Sequence, residues 1–442
     1  MKKAISTFLI ILFYFNSFSQ ILNKQKLDSF FNLLEVKNKS MGSFAISKNG
    51  VLIYKKNIGF SSVNNGNNIK ANDETLYRIG STTKMFTATL IFQLIDEGKL
   101  TLDTKLNKYF PEIPNSDKIT IQMLLSHRSG LYDFVNDTKD FEWITKPQTR
   151  KIILNKITKG KTHFEPNAKF SYSNSGFTLL TFIVEKITGK LYSKILNEKI
   201  ISKLNLKNTF SLINNVPQKN EALPYSFDST WRKITDIYFP NAVGIGDMLS
   251  TSTDLIVFED ALFSGKLISE KSLALMKTFD KSSFAKGLMK VPFYNHIGLG
   301  HGGDTYGTHT IVAFFPKDSM TVASCINGEV MPHNDVLIGM LSILFNQDYI
   351  IPTFNEIAVA EDLLDKYIGT YNNKDIPMKM TVSKKGTLLF AQAKGQPVFP
   401  LEAVDKNKFK FDQANIEMEF NAEEGVLKMT QAGKLYLFKK EN

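Results

Sequence analysis

The segment Ser81 to Glu97 (STTKMFTATLIFQLIDE) sets the strongest condition on the fold. Met85, Ala88, Ile91, Leu94 and Ile95 recur at helical spacing, and Gly98 stops the run. Phe86, Leu90 and Phe92 are apolar too, so this predicted helix reads as buried nearly all round. A helix without a water-facing side needs a large domain about it. The chain has 442 residues, 43% of them hydrophobic and 22% charged, which suggests two or three domains with a sizeable core. The same composition excludes a disordered, collagen-like or polytopic membrane protein.

Elements before and after this helix follow the same logic. Phe44 to Ile46 and Val51 to Tyr54 flank Asn49-Gly50, a strong hairpin signal. Ile119 to Leu125 leads into the polar turn Ser126-His127-Arg128-Ser129-Gly130. Gly176 to Ile187 is a second predicted helix, ended by Gly189. Leu249-Ser-Thr-Ser-Thr-Asp254 precedes the apolar run Leu255 to Phe258 and reads as the cap of a third, with an early acidic residue. Thr310 to Phe315 and Met320 to Ile326 are strands, and Asp335 to Phe345 is a closing helix. Strands, then helices, then strands again predict one α+β domain with an antiparallel sheet flanked by helices, rather than a doubly wound fold.

The hydrophobic period changes to two after about Pro352. Met378, Met380 and Val382 alternate with Lys379, Thr381 and Ser383, and Ile416, Met418 and Phe420 alternate with Glu417 and Glu419. Glycines 386, 395, 425 and 433 punctuate these short strands, which predicts a small all-β barrel or sandwich at residues 361–442 after a linker at 346–360. Lys2, Lys3, the apolar run from Ala4 to Phe15 and the small residues before Gln20 read as a signal peptide, residues 1–19. The domain between, residues 20–345, is then exported to the periplasm or beyond the cell, with no stable membrane insertion after cleavage. The formal charge of +11 comes from scattered lysines without a basic run, so no nucleic-acid partner is expected. The single cysteine, Cys325, forbids an intrachain disulfide and sits in an apolar strand, as a buried hydrophobe would.

Three short stretches carry the candidate chemistry. Ser81-Thr-Thr-Lys84 opens the buried helix, where free backbone N–H groups favour negative charge. Lys84 projects from the same face one turn on, and a lysine in apolar surroundings can lose its proton and act as a base. Tyr172-Ser-Asn174 precedes the second helix. A phenol beside a cation can deprotonate below its usual value of about 10 and pass protons; Asn174 could orient Lys84 and donate to a substrate carbonyl. In His301-Gly302-Gly303-Asp304, paired glycines weaken a strand unless something must approach its backbone. The N–H groups of Asp304 and Ser81 could then hold an oxyanion. Each stretch alone is weak: Ser283-Phe-Ala-Lys286 and Tyr371-Asn-Asn373 repeat the first two spacings by chance.

Together, and in this order, the three stretches resemble the serine β-lactamase and penicillin-binding protein superfamily. They are most similar to the group holding class C β-lactamases, D-Ala-D-Ala carboxypeptidases and related esterases. Leu76-Tyr-Arg-Ile-Gly-Ser81, Ile119 to Leu131 and Gly300-His-Gly-Gly303 strengthen the likeness over residues 25–345. Tyr367-Ile-Gly-Thr-Tyr371 resembles accessory barrels fused to such enzymes. The resemblance implies that Ser81 is the acylated nucleophile, with Lys84 and Tyr172 sharing base and acid work in an order left open. Asn174, His301, Gly302, Gly303 and Asp304 would bind substrate, and no cofactor or metal is implied. His301 stands where class C enzymes usually carry lysine, which favours a peptidase or esterase over a β-lactamase. A receptor-like protein that binds penicillin or peptidoglycan without turnover is the alternative. The substrate class is a D-amino-acid peptide, a β-lactam or an ester; the oligomeric state is left open. His127 is expected to be a structural hydrogen-bonder, and the six histidines show no metal-ligand spacing.

Overall fold

The structure is a computed structural model. It describes residues 22–441 apart from 65–66, 137–141, 229, 235–236, 355–356, 375–377, 397, 412–413, 415 and 432. The expected signal peptide at 1–19 lies outside the described residues.

Helix α1 (Lys24–Val36) buries Leu27, Phe30, Phe31 and Leu34, one stripe at helical spacing. The hairpin follows as β1 (Ser40–Lys48) and β2 (Val51–Ile58), closed by Asn49 and Gly50 at φ 53° and 74°. Both turn residues are left-handed, as a two-residue hairpin turn requires. Helix α2 (Thr83–Asp96) is buried at every residue from Thr83 to Leu94. Helix α3 (Asn174–Thr188) is capped by the Ser173 hydroxyl and ends at Gly189, φ 67°. Helix α4 (Ser252–Phe263) is capped by Thr251.

The main sheet collects β1 and β2 with β3 (Met289–Phe293), β4 (His296–Asp304), β5 (His309–Phe315) and β6 (Met320–Glu329), in the order β3-β4-β5-β6-β1-β2. These neighbours pair antiparallel. One pairing departs from the expected pattern: Tyr225–Asp228 lies parallel to the end of β6. Only two residue pairs meet there, too few to leave a pattern in the sequence. One core, from α1 and the closing helix α5 (His333–Leu344), packs residues such as Phe31, Phe44, Val322 and Met340. The other surrounds α2 and α3, with Phe86 stacked on Phe258 at 3.7 Å.

Beyond these lies a closed antiparallel barrel of eight strands. They are β7 (Gly369–Asn373), β8 (Lys379–Lys385), β9 (Leu388–Ala393), β10 (Phe399–Ala403), β11 (Lys408–Phe411), β12 (Ile416–Asn421), β13 (Val426–Gln431) and β14 (Lys434–Lys440). Met380 and Val382, Met418 and Phe420, and Leu427 and Met429 are buried at every second position, so the alternation read from the sequence is the inside–outside alternation of the barrel. Closure pairs β7 with β14 and leaves no free edge.

Candidate active site

Ser81 sits in a single 3-10 turn, Gly80–Thr82, that runs directly into α2. Lys84 is one turn on and wholly buried. Its Nζ donates to Ser81 Oγ at 2.9 Å and to the Ile245 carbonyl at 3.1 Å. Both acceptors are neutral, so little offsets the cost of a buried positive charge. Burial pushes the Lys84 pKa down to about 7, against the opposing pull of the Asp133 carboxylate. The sequence reading assigned the orienting role to Asn174; the Ile245 carbonyl holds the amine instead. Asn174 is turned to Asp133, to which it donates both its backbone N–H and its amide.

Asp133 was not singled out from the sequence. It accepts from the backbone N–H groups of Asn174 and Ser175, the free donors at the start of α3. It lies 41 residues upstream of Asn174, and no local motif marks it.

Tyr172 stands over the pair, with Lys84 Nζ 5.0 Å from its ring centroid. Its hydroxyl is buried without a hydrogen bond of normal geometry, although the Ser81 hydroxyl is near enough to favour the phenolate. Burial is the larger effect and holds the phenol above its ordinary range. The expected lowering of the tyrosine pKa is therefore not what the site produces, because burial of the phenol itself, with the Asp133 and Asp304 carboxylates, disfavours the phenolate. His127 stacks on the Tyr172 ring at 4.4 Å and accepts the Ser173 N–H on Nδ1 at 2.9 Å. Burial keeps this imidazole neutral, which fits the structural role expected of it.

His301 lies in β4, buried, and faces the Tyr172 ring at 6.2 Å. Burial and the neighbouring Lys84 push its pKa down to about 4, so it is neutral at pH 7. Gly303 packs backbone to backbone on the Ser81 turn. A Cβ on Gly303 would lie 1.9 Å from the Ile79 carbonyl oxygen and 2.9 Å from Ser81 N. Gly80, at φ 50°, faces Asp304 N in return, 3.1 Å from where its Cβ would stand. The backbone N–H groups of Ser81 and Asp304 thus belong to one junction, although 223 residues separate them in the chain.

Ser81, Tyr172, Phe284, His301, Gly302 and Asp304 line a cavity of about 400 Å³ that also touches His309 and His333. Among the described residues that line it there is no lysine or arginine. A second cavity of about 540 Å³, lined by Tyr132, Asp133, His163 and Phe164, meets the first at Tyr172. Neither chance motif repeats the Ser81–Lys84 contact: Lys286 Nζ donates to the Leu275 carbonyl, although Phe284 of that motif lines the cavity, and Tyr371 is a barrel residue. Cys325 is buried, and burial pushes its thiol up to about 12.

A sequence profile described as Beta-lactamase matches residues 35–343. The chain belongs to the Beta-lactamase family. It is 24% identical to Penicillin-binding protein 4* of Bacillus subtilis (strain 168), covering 92% of this chain and 96% of that one. The D-amino acid amidase of Ochrobactrum anthropi SV3 superposes with a TM-score of 0.60 at 28% identity, over 72% of this chain and 98% of the amidase. An octameric penicillin-binding protein homologue from Pyrococcus abyssi shares the fold across 95% of this chain and all of its own, with a TM-score of 0.67 at 22% identity. As a member of the Beta-lactamase family the chain is a serine hydrolase.

The glycine edge of this Beta-lactamase-family site gives a test of its packing. Gly302→Ala meets only the Thr310 carbonyl at 3.5 Å and Ile311 at 3.6 Å, ordinary contacts. Gly303→Ala drives a methyl into the Ile79 carbonyl. The first variant is expected to melt within about a degree or two of the parent, the second several degrees lower, as overpacking costs about 1–3 kcal/mol. Thermal melting of the two side by side checks this, and equal melting temperatures would contradict the described junction.

Proposed function

We propose that this chain is an exported amide hydrolase in which Ser81 is acylated and Lys84 takes its proton. One observation carries the assignment: a wholly buried Lys84 amine, poised near pH 7, lies 2.9 Å from the Ser81 hydroxyl. A general base works best when its pKa lies near the working pH. As Ser81 Oγ bonds to the substrate carbonyl carbon, its proton passes to Lys84. The carbonyl π electrons move onto oxygen, where the N–H groups of Ser81 and Asp304 receive them. The C–N bond then breaks, and the amine leaves with a proton from the Tyr172 phenol, which regains one from Lys84. Water releases the acyl group by the same route in reverse.

Asn174, fixed by Asp133, and His301 are the side chains proposed to orient substrate, with Gly302 and Gly303 leaving room along the strand. The neutral His301, with no lysine or arginine among the described residues lining the cavity, disfavours a substrate held by a terminal carboxylate. They support a D-amino-acid amide, or a peptide entering without a charged end there, over a D-Ala-D-Ala carboxypeptidase substrate. The likeness to a D-amino acid amidase supports the same choice. Residues 20–345 are proposed as the catalytic domain, 346–360 as the linker and 361–442 as the barrel domain. Export rests on the leader-like composition of residues 1–19; among the described residues no helix is long and apolar enough to cross a membrane.

A turnover panel tests the substrate. We expect kcat/KM to be highest for a D-amino-acid amide, lower for p-nitrophenyl butyrate, and lowest for nitrocefin and a D-Ala-D-Ala tripeptide. A preference for the tripeptide over its C-terminal amide would overturn the proposed specificity.

A further inference from the structure

Two histidines outside the catalytic group meet at the cavity. His309, the first residue of β5, and His333, the first residue of α5, stack with ring centroids 4.1 Å apart and planes 8° apart. Asp304 lies against one edge of this stack: its Oδ1 is 2.7 Å from His309 Nδ1 and 3.9 Å from His333 Nε2. Glu329 lies against the opposite edge, with Oε1 3.4 Å from His309 Nε2 and Oε2 3.0 Å from His333 Nδ1. Glu329 also accepts the backbone N–H of His333 at 2.7 Å, which fixes the carboxylate.

His309 Nδ1 is within hydrogen-bond distance of Asp304 Oδ1, and His333 Nδ1 is within hydrogen-bond distance of Glu329 Oε2. His309 Nδ1, His333 Nε2 and Asp304 Oδ1 thus gather as three potential ligand atoms. A divalent cation can engage all three by displacing to solvent the proton shared between Asp304 and His309. Ring nitrogens held by a carboxylate on their far side are the usual outer support of metal-bound histidine.

We propose that Asp304 Oδ1, His309 Nδ1 and His333 Nε2 form a binding site for a divalent first-row transition ion, with Glu329 orienting both imidazoles. The three ligand atoms lie within 4.8 Å of one another. Ligands about 2.0–2.1 Å from a tetrahedral ion stand about 3.3 Å apart, a spacing the observed 2.7 and 3.9 Å bracket; the two stacked rings must rotate out of parallel to aim their in-plane lone pairs at one ion. Two nitrogens and one oxygen select Zn²⁺, Co²⁺ or Ni²⁺ over Mg²⁺ and Ca²⁺, which prefer all-oxygen sites. Asp304 is largely exposed while the histidines are half-buried, which gives the ion a way in and leaves a fourth position open to the cavity. The site goes beyond the proposed amide hydrolysis, sharing only Asp304 with it. The spacing of 5 and 24 residues between its ligands is not a metal motif in sequence; the sheet edge and the start of α5 bring them together.

The test is Co²⁺ titration of the full-length, tag-free protein, followed by visible absorption, with Zn²⁺ as competitor. The readout needs no turnover, so it stands whether or not the Ser81 assignment does. We expect one equivalent of Co²⁺ to give a d–d spectrum of low coordination number that Zn²⁺ bleaches. His309→Ala and His333→Ala should each weaken binding at least about tenfold, and Glu329→Gln by about 10–100-fold, as loss of an outer-shell partner does. His163→Ala should bind as the parent does. Imidazole ¹⁵N spectra of the unsubstituted protein give a check independent of variant folding: Zn²⁺ should move the resonances of two histidines. No saturable binding, unchanged affinity in both histidine variants, or no shift of those two rings would reduce the cluster to a set of ion pairs and end the proposal.

Discussion

Ser81→Ala is expected to abolish covalent labelling by a fluorophosphonate or a fluorescent penicillin, and to lower kcat/KM by roughly ten-thousand-fold or more, since nucleophile and base act as one unit. The reason is local. Among the described hydroxyls, that of Ser81 is the one the Lys84 amine touches, and it lies in the helix-start turn where negative charge is favoured. The other Ser-x-x-Lys, at Ser283, directs its lysine to a backbone carbonyl and offers no substitute. Intact-protein mass spectrometry reads the adduct directly. Equal labelling of parent and variant would remove Ser81 from the mechanism, and a labelled parent that never turns over would favour the receptor-like alternative.

Lys84→Met is expected to lower acylation by about 10²–10⁴-fold, the range of a lost general base. The parent enzyme should show kcat/KM rising with pH through about 7, because only the unprotonated amine accepts the serine proton. In the variant that limb should vanish. Stability supplies the control. The Lys84 pKa is lowered on folding from an ordinary value near 10.5. Between about pH 7 and 10.5 the unfolded chain binds the extra proton, so the lysine's contribution to stability improves as pH rises across that window. At and below pH 7 the buried amine is at its most costly, and Met removes that cost. The variant should therefore melt no lower than the parent at pH 6 while being nearly inactive. Activity within a few-fold of the parent, or an unchanged pH limb, would take the base role from Lys84. A large fall in melting temperature would show that the amine's two hydrogen bonds outweigh its burial.

The elements were legible where their cause is local. Asn49-Gly50 dictates a hairpin, the helical-period apolar run from Met85 dictates a buried helix, and the period of two after Met378 dictates half-buried strands. Ser81 and Lys84 were legible for the same reason, since three residues of helix place both on one face wherever the helix lies. Asp133 was not legible, because an aspartate that caps α3 from 41 residues away looks like any surface acid. Ile245 was not legible either, because a backbone carbonyl carries no residue signature. The expected depression of the Tyr172 pKa failed on burial, a quantity no tripeptide encodes.

The sequence by itself determined which side chains exist to do chemistry and which short-range pairs share a helix face or strand side, because 3.6 and 2 residues per repeat are properties of the backbone. The tertiary structure alone decided their protonation, by burying Lys84 and His301 until the charged form is disfavoured. It alone set Gly303 against the Ser81 turn and gathered Asp304, His309, His333 and Glu329 on one edge of the cavity. Desolvation and the approach of distant backbone depend on everything packed around a residue, and that surrounding exists only once the sheet and the two cores have closed.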